Sequence, residues 1–260
     1  MRVTVLQSGI WQTNSSVISA GGAVLVIDPA YFPRELDALA AAARAAGQVA
    51  AVAFTHGHWD HVMGHAALPE APVWLSSVLD QAIATDDPRA AQHLADARDF
   101  DGRWYVPRPH GHRWPAARRA IADGEAPALG PLTVRALHLP GHSPDGLALR
   151  IGGTVWCGDY LSPCEIPFVD DAAAYRATLA RLGAELTDAA EVIPGHGPRL
   201  TAAEARAICD QDLAYLDGLL AARDATAAAA IPLPRAADVP GMRDHHAANG
   251  AKVLSAAAVR

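Results

Sequence analysis

The sequence predicts an α+β protein in which two mixed β-sheets pack face to face with helices outside. Three observations predict it. Short runs rich in Val and Ile recur in two separate series along the chain. Segments whose apolar positions follow the helical period interrupt both series. The run "VAAVAF" at 49–54 is apolar throughout, as a strand buried on both faces must be. Strands and helices repeated in this way leave apolar faces that stacking of two layers buries.

The first series is "VTVLQ" (3–7), "SVIS" (16–19) and "AVLVID" (23–28), separated by Gly, Asn and Ser and read as consecutive antiparallel strands. "PRELDALAAAARAAG" (33–47) then changes period. Pro33 suits a first helical turn, Leu36, Leu39, Ala40 and Ala43 share one face, and Gly47 suits the stop. The buried strand at 49–54 follows. "VWLS" (73–76) reads as a strand, 79–98 as helical in pieces, and "WYVPRPHGHRWP" (104–115) as a Pro-rich, basic, aromatic loop. The second series is "LTVRALHL" (132–139), "GLALRI" (146–151), "TVWC" (154–157) and "EVI" (191–193), with a helix at about 172–186 before its last member. Beyond Pro198 the pattern is helical, clearest at 202–223. A linker at 231–240 and a last short helix complete the chain.

Length and composition bound the function. A chain of 260 residues with 51% apolar residues can bury a sizeable core. A net charge of −7 argues against a nucleic-acid surface, which needs a basic stripe. Three cysteines, Cys157, Cys164 and Cys209, suit reduced thiols and not a disulfide frame. No segment approaches the roughly 18 apolar residues of a membrane span, and the first residues lack the apolar run of a signal peptide. The expectation is a cytoplasmic protein acting on a small molecule, without nucleic acid or membrane; a homo-oligomer is compatible with all of this.

The chemistry concentrates in "AVAFTHGHWDHVMGH" (51–65). His56, His58, Asp60 and His61 follow directly on the buried strand. Imidazole and carboxylate suit zinc, and also iron or manganese. Side chains two apart in an extended segment point the same way, so His56 and His58 can grip one ion. Asp60 and His61 diverge in a strand, but both can reach a second ion if the chain turns helical there. With twelve histidines in the chain, position tells more than pairing. Partners appear at later strand ends: His142 in "LPGHSPDG", Asp159 in "CGDYLS" and His196 in "IPGHGP". Glycine lets the backbone approach an ion closely and proline stiffens the loop.

On these residues the sequence resembles the metallo-β-lactamase-fold hydrolases over about residues 1–200. His56, His58, Asp60 and His61 match the family's HxHxDH motif, and His142, Asp159 and His196 match its later motifs. The resemblance implies a four-layer αββα sandwich as a catalytic domain over 1–200, with 201–260 a C-terminal helical extension packed on it. It implies two divalent metal ions, zinc first among them, with iron or manganese also suited. One is held by His56, His58 and His142, the other by Asp60, His61 and His196, and Asp159 bridges them. Asp28 matches the family's early aspartate, which orients a ligating imidazole from behind.

The implied chemistry is attack by a hydroxide shared between the metals, with Asp60 also orienting the nucleophile. The implied substrate is a small ester, thioester or lactone. His58 stands where flavodiiron-type relatives carry glutamate, which favours hydrolysis over oxygen reduction. Asp159 stands where true β-lactamases lack the bridging aspartate. Glyoxalase II-like thioesterases match the full ligand set, but few basic residues are present near the C-terminus to grip glutathione. Alternatives are a mononuclear iron oxidoreductase resembling persulfide dioxygenases and a metal-binding protein without activity. Trp59, Tyr160, His110 and His112 are candidates to line the substrate pocket. Cys157 reads as packing, and His65, His245 and His246 as non-ligands.

Overall fold

Residues Arg2–Gln7 (β1), Asn14–Ala20 (β2) and Ala23–Ile27 (β3) form an antiparallel meander. Pro33–Ala46 (α1) then crosses over to Gln48–Ala53 (β4), which pairs parallel to β3. The computed structural model describes residues 1–258. Pro33 begins α1 where an amide needs no helical partner, and Leu36, Leu39, Ala40 and Ala43 are its buried face. Gly47 ends it because the chain passes the Gly22 carbonyl: a Cβ there would lie 2.3 Å from that oxygen. The last three residues of β4, Ala51, Val52 and Ala53, are wholly buried, as the apolar run requires.

The motif follows β4 as a four-residue helix, Trp59–Val62 (α2), and a 3-10 turn, Met63–Ala67. Val73–Ser76 (β5) extends the sheet in parallel. The segment predicted as helical in pieces is two helices, Ser77–Ala84 (α3) and Pro88–Trp104 (α4). Asp87 separates them by accepting a hydrogen bond from the Arg89 amide, an N-cap that starts α4 afresh. That helix runs past 98 because Leu94, Ala97 and Phe100 carry the apolar period onward into the core. Arg118–Ile121 (β6), too charged to read as a strand, pairs parallel to β5. The result is a six-stranded mixed sheet in the order β1-β2-β3-β4-β5-β6. Ala128–Leu129 (β7) and Leu132–Thr133 (β8) form a small hairpin, and Arg135–His138 (β9) pairs antiparallel with Leu147–Ile151 (β10).

The chain divides into two compact units, and the elements above belong to the first, made of Met1–His138 and Leu147–Gly152. The second contains Leu139–Gly146 and the chain from Gly153 onward. In it Thr154–Trp156 (β11) pairs parallel with Glu191–Ile193 (β12), and Ala172–Glu185 (α5) is the crossover between them. Ala202–Ala221 (α6) starts at a capping box, in which Thr201 and Glu204 each accept from the other's backbone amide. Ala225–Ala229 (α7) follows. The last helix, Met242–Ala258 (α8), is 17 residues long and not short. Its Asn249 explains the difference: the side chain accepts from the Val169 amide and donates to Pro167 O and the Tyr215 hydroxyl. The fold is thus mixed β-sheet with several helices, the class the sequence predicts.

Candidate metal centre

The four motif residues lie where β4 ends. His58 is the last extended residue (φ −62°, ψ 140°), and α2 begins directly after it. The switch to helix puts Asp60 and His61 on one side despite their adjacency, with His61 Nε2 3.3 Å from an Asp60 oxygen. The rings of His56 and His58 lie 4.5 Å apart, and those of His56 and His61 4.4 Å. His56, Asp60 and His61 are buried.

The backs of these rings are held. Asp28 Oδ2 is 3.1 Å from His61 Nδ1. The same carboxylate accepts from the Thr55 amide at 2.7 Å and the Thr55 hydroxyl at 2.6 Å. Asp28 itself sits at φ 49°, a left-handed position that aspartate tolerates better than most residues. Thr55 Oγ1 is in turn 3.1 Å from His56 Nδ1. One aspartate therefore fixes two imidazoles, one directly and one through a threonine. The Leu147 amide donates to Thr55 O at 2.6 Å, which ties β10 to this corner of the first unit.

The second unit carries its own set. His142 Nε2 and His196 Nε2 each lie 3.3 Å from a different oxygen of Asp159. His142 is turned outward by its Nδ1, which is 3.0 Å from Phe168 O. Its amide donates to the Tyr160 hydroxyl at 3.0 Å, and that hydroxyl donates to Leu139 O at 2.7 Å. Gly141 precedes it at φ 134°, with its Cα against α5: a Cβ would lie 2.2 Å from Tyr175 Cα. Burial lowers the His142 pKa, but the Asp159 and Glu165 carboxylates and the Phe168 carbonyl outweigh it and raise it above the ordinary imidazole range. The position favours positive charge.

This donor chemistry fits divalent ions. His61 and His142 present Nε2 toward buried carboxylates while Nδ1 is engaged behind, the arrangement that sets tautomer and orientation in ligating histidines. The carboxylates are buried as well, and such groups are accommodated by cations or partners, not left alone.

The remaining candidates fall elsewhere. Trp59 is half-buried among Tyr31 and Phe100, with ring centroids at 4.9 and 4.8 Å, and meets Trp11 at 5.2 Å. It anchors α2 in an aromatic cluster. Tyr160 is buried, and its proton goes to Leu139 O rather than to a substrate oxygen. His112 faces Asp101 at 2.7 Å. His110 is exposed on the rim of two surface clefts of about 380 and 460 Å³. His65 packs its ring edge on Phe54, with Nδ1 2.9 Å from Val62 O. His246 meets the Tyr215 hydroxyl at 2.8 Å, and His245 stacks on Phe168. Cys157 is buried, and burial pushes its thiol well above the ordinary range.

Two residues escaped the sequence reading. His93, on α4, has its ring 5.1 Å from that of His58. Glu165 is buried in the second unit, and one ligand atom from each of Asp159, Glu165 and His196 lies within 4.8 Å of the others. A lone acid inside the apolar stretch "CEIPFV" was the available signal.

The model of the metallo-beta-lactamase superfamily matches residues 8–196. The chain belongs to that superfamily. A probable metallo-hydrolase of Burkholderia pseudomallei (strain 1710b) is 29% identical over 141 residues, which is 47% of this chain and 44% of the relative. The match thus spans less than half the length of that relative. Among solved structures, TTHA1623 in a di-iron-bound form is 28% identical, with a TM-score of 0.59 over 78% of this chain and 96% of that one. A metallo-beta-lactamase family protein of Thermus thermophilus gives 0.70 at 20% identity over 98% and 94%. ETHE1 from Myxococcus xanthus gives 0.59 at 20% identity over 96% and 100%. The family and the His/Asp clusters together define a hydrolase-like fold suited to binding metal. Among the described residues no helix is long and apolar enough to cross a membrane.

Proposed function

We propose that the chain is a dinuclear metallo-hydrolase that cleaves a small ester, thioester or lactone. In this reading His56, His58 and His142 would hold one ion, Asp60, His61 and His196 the other, and Asp159 would be available to both. The observation that carries it is the pair of contacts from Asp159, whose two oxygens each meet a different imidazole at 3.3 Å. A carboxylate turned both ways is what a shared ligand needs, and a single-ion site leaves one side without purpose. The family match runs from 8 to 196 and so takes in both ligand sets. The likeness to TTHA1623 in a di-iron-bound form supports two ions and keeps iron beside zinc and manganese.

Bound divalent ions supply an activated water and a sink for oxyanion charge. The chain's own residues do the positioning. Asp28 and Thr55 hold His61 and His56 against rotation, and Phe168 O and Tyr160 hold His142. Asp60, buried beside His61 with the Thr13 hydroxyl 3.4 Å from one oxygen, would help orient the nucleophile.

The test is metal content by elemental analysis followed by a screen over esters, thioesters, lactones and phosphodiesters. About two ions per chain with carboxyl-ester or thioester turnover supports the reading; one iron per chain with oxygen consumption replaces it with the oxidoreductase. Asp60→Asn should abolish turnover while metal is retained, and unchanged turnover would remove Asp60 from the chemistry.

A further inference from the structure

Glu165 belongs to none of the motifs read in the sequence, yet it is buried and its carboxylate is within 4.8 Å of ligand atoms of both Asp159 and His196. Asp159 and Glu165 thus offer carboxylate oxygens toward one point, beside the His196 imidazole. The loop that carries Glu165 is anchored on both sides. Arg235 donates to Ser162 O at 2.6 Å and pairs with buried Asp212, while Asn249 clamps Pro167 O and the Val169 amide. The backbone on either side of Glu165 is therefore fastened, by Arg235 braced on α6 and by Asn249 of α8. This gives the C-terminal helices, which the family match to residue 196 does not reach, a part in the site.

We propose that Glu165 is a further ligand to the ion held by Asp159 and His196, and that it tunes this site toward harder ions. The inference rests on the two-metal reading above. Carboxylate oxygens suit manganese and iron better than they suit zinc, relative to an imidazole-rich site. Raw affinity still follows the usual order with zinc ahead of manganese, so the property Glu165 sets is the ratio of the two.

The test uses the full chain, stripped with chelator and titrated separately with Mn²⁺ and Zn²⁺, with bound metal counted by elemental analysis. Wild type should take two ions. Glu165→Gln should lose at least tenfold in Mn²⁺ affinity at one of them and raise the zinc-to-manganese ratio by a similar factor. Glu165→His, which keeps a ligand but exchanges oxygen for nitrogen, should keep two ions and raise the same ratio. A ratio unchanged in whichever of the two variants retains the wild-type circular dichroism spectrum overturns the proposal. A wild-type chain that binds a single ion overturns the two-metal reading instead; a change in that ion's ratio on substitution would still uphold Glu165 as its ligand.

Discussion

Asp28 Oδ2 stands 3.1 Å behind His61 Nδ1, and the two residues are 33 positions apart in sequence. The ionised carboxylate only accepts, so Nδ1 carries the proton and Nε2 is left as a lone pair facing Asp60. Asp28→Asn keeps the size and tolerates the left-handed backbone at φ 49°. Its amide group, however, would turn a donor toward His61 and toward Thr55, and favour the tautomer with the proton on Nε2. Metal affinity should fall by about 10–100-fold, the usual cost of removing a group behind a ligating histidine. Metal titration against wild type, with circular dichroism to confirm folding, checks it; unchanged affinity would show that His61 does not bind metal.

Asp101 anchors the aromatic cluster under Trp59. Its carboxylate accepts from the Tyr31 hydroxyl at 2.7 Å, from Arg108 at 2.8 and 3.0 Å, and from His112 at 2.7 Å. Burial raises the Asp101 pKa, but the Arg108, Tyr31 and His112 hydrogen bonds outweigh it and hold the carboxyl below the ordinary range. The folded pKa is depressed, so the unfolded chain binds the proton first as pH falls. The stabilisation is complete above the unfolded carboxyl pKa and is lost as pH drops through the folded one. Asp101→Asn should destabilise by about 3–5 kcal/mol at neutral pH, because Arg108 is left buried without its counter-charge. Urea melts from pH 7 to pH 3 should show the gap between wild type and variant closing toward acid.

The sequence made the candidate His/Asp clusters legible because chemistry and local structure coincide there. His56, His58, Asp60 and His61 follow a uniformly apolar strand, and His142, Asp159 and His196 each sit in a Gly-marked turn after another. The family fold followed from the same pattern. What the sequence hid depends on contacts distant along the chain. His112 looked like part of a second H-x-H pair, but its partner is Asp101 on α4. Trp59 read as a candidate to line a pocket, and local pattern could not show that its ring packs against Tyr31 and Phe100. β6 was hidden because an edge strand can carry Arg118 and Arg119, which local pattern reads as loop. Glu165 was hidden because a lone acid in "CEIPFV" does not by itself show that folding brings it to His196, 31 positions away.

Gly141 shows how tightly the His142 turn is built against α5. Its φ of 134° is unfavourable for any side chain, and an added Cβ would fall 2.2 Å from Tyr175 Cα and 2.4 Å from its amide nitrogen. The two nearest atoms are Tyr175 backbone, which cannot swing aside as a flexible side chain would. Gly141→Ala should therefore displace the turn and cost at least about 1–3 kcal/mol, the range of an overpacked core. Thermal melts should show the loss, and metal content should fall with it because His142 moves. Gly111, with nothing near its Cβ position and a φ of 71°, is the control for a positive φ without the clash.

Tyr160 is the residue on which a substrate role and a supporting role make opposite predictions. Its hydroxyl accepts from the His142 amide at 3.0 Å and donates to Leu139 O at 2.7 Å, bridging the two ends of the "LPGH" turn. The ring is buried between His142 and Tyr175, and burial pushes the hydroxyl pKa well above the ordinary range. Tyr160→Phe keeps the ring and leaves a buried amide and a buried carbonyl without that partner. Each such group costs about 1–3 kcal/mol, so the melting temperature should drop and metal affinity should weaken as the His142 turn loosens. Turnover measured at saturating metal should then recover most of the wild-type rate, with KM unchanged. A supporting residue gives that pattern, whereas a donor to substrate would leave stability near wild type and lower kcat at every metal concentration.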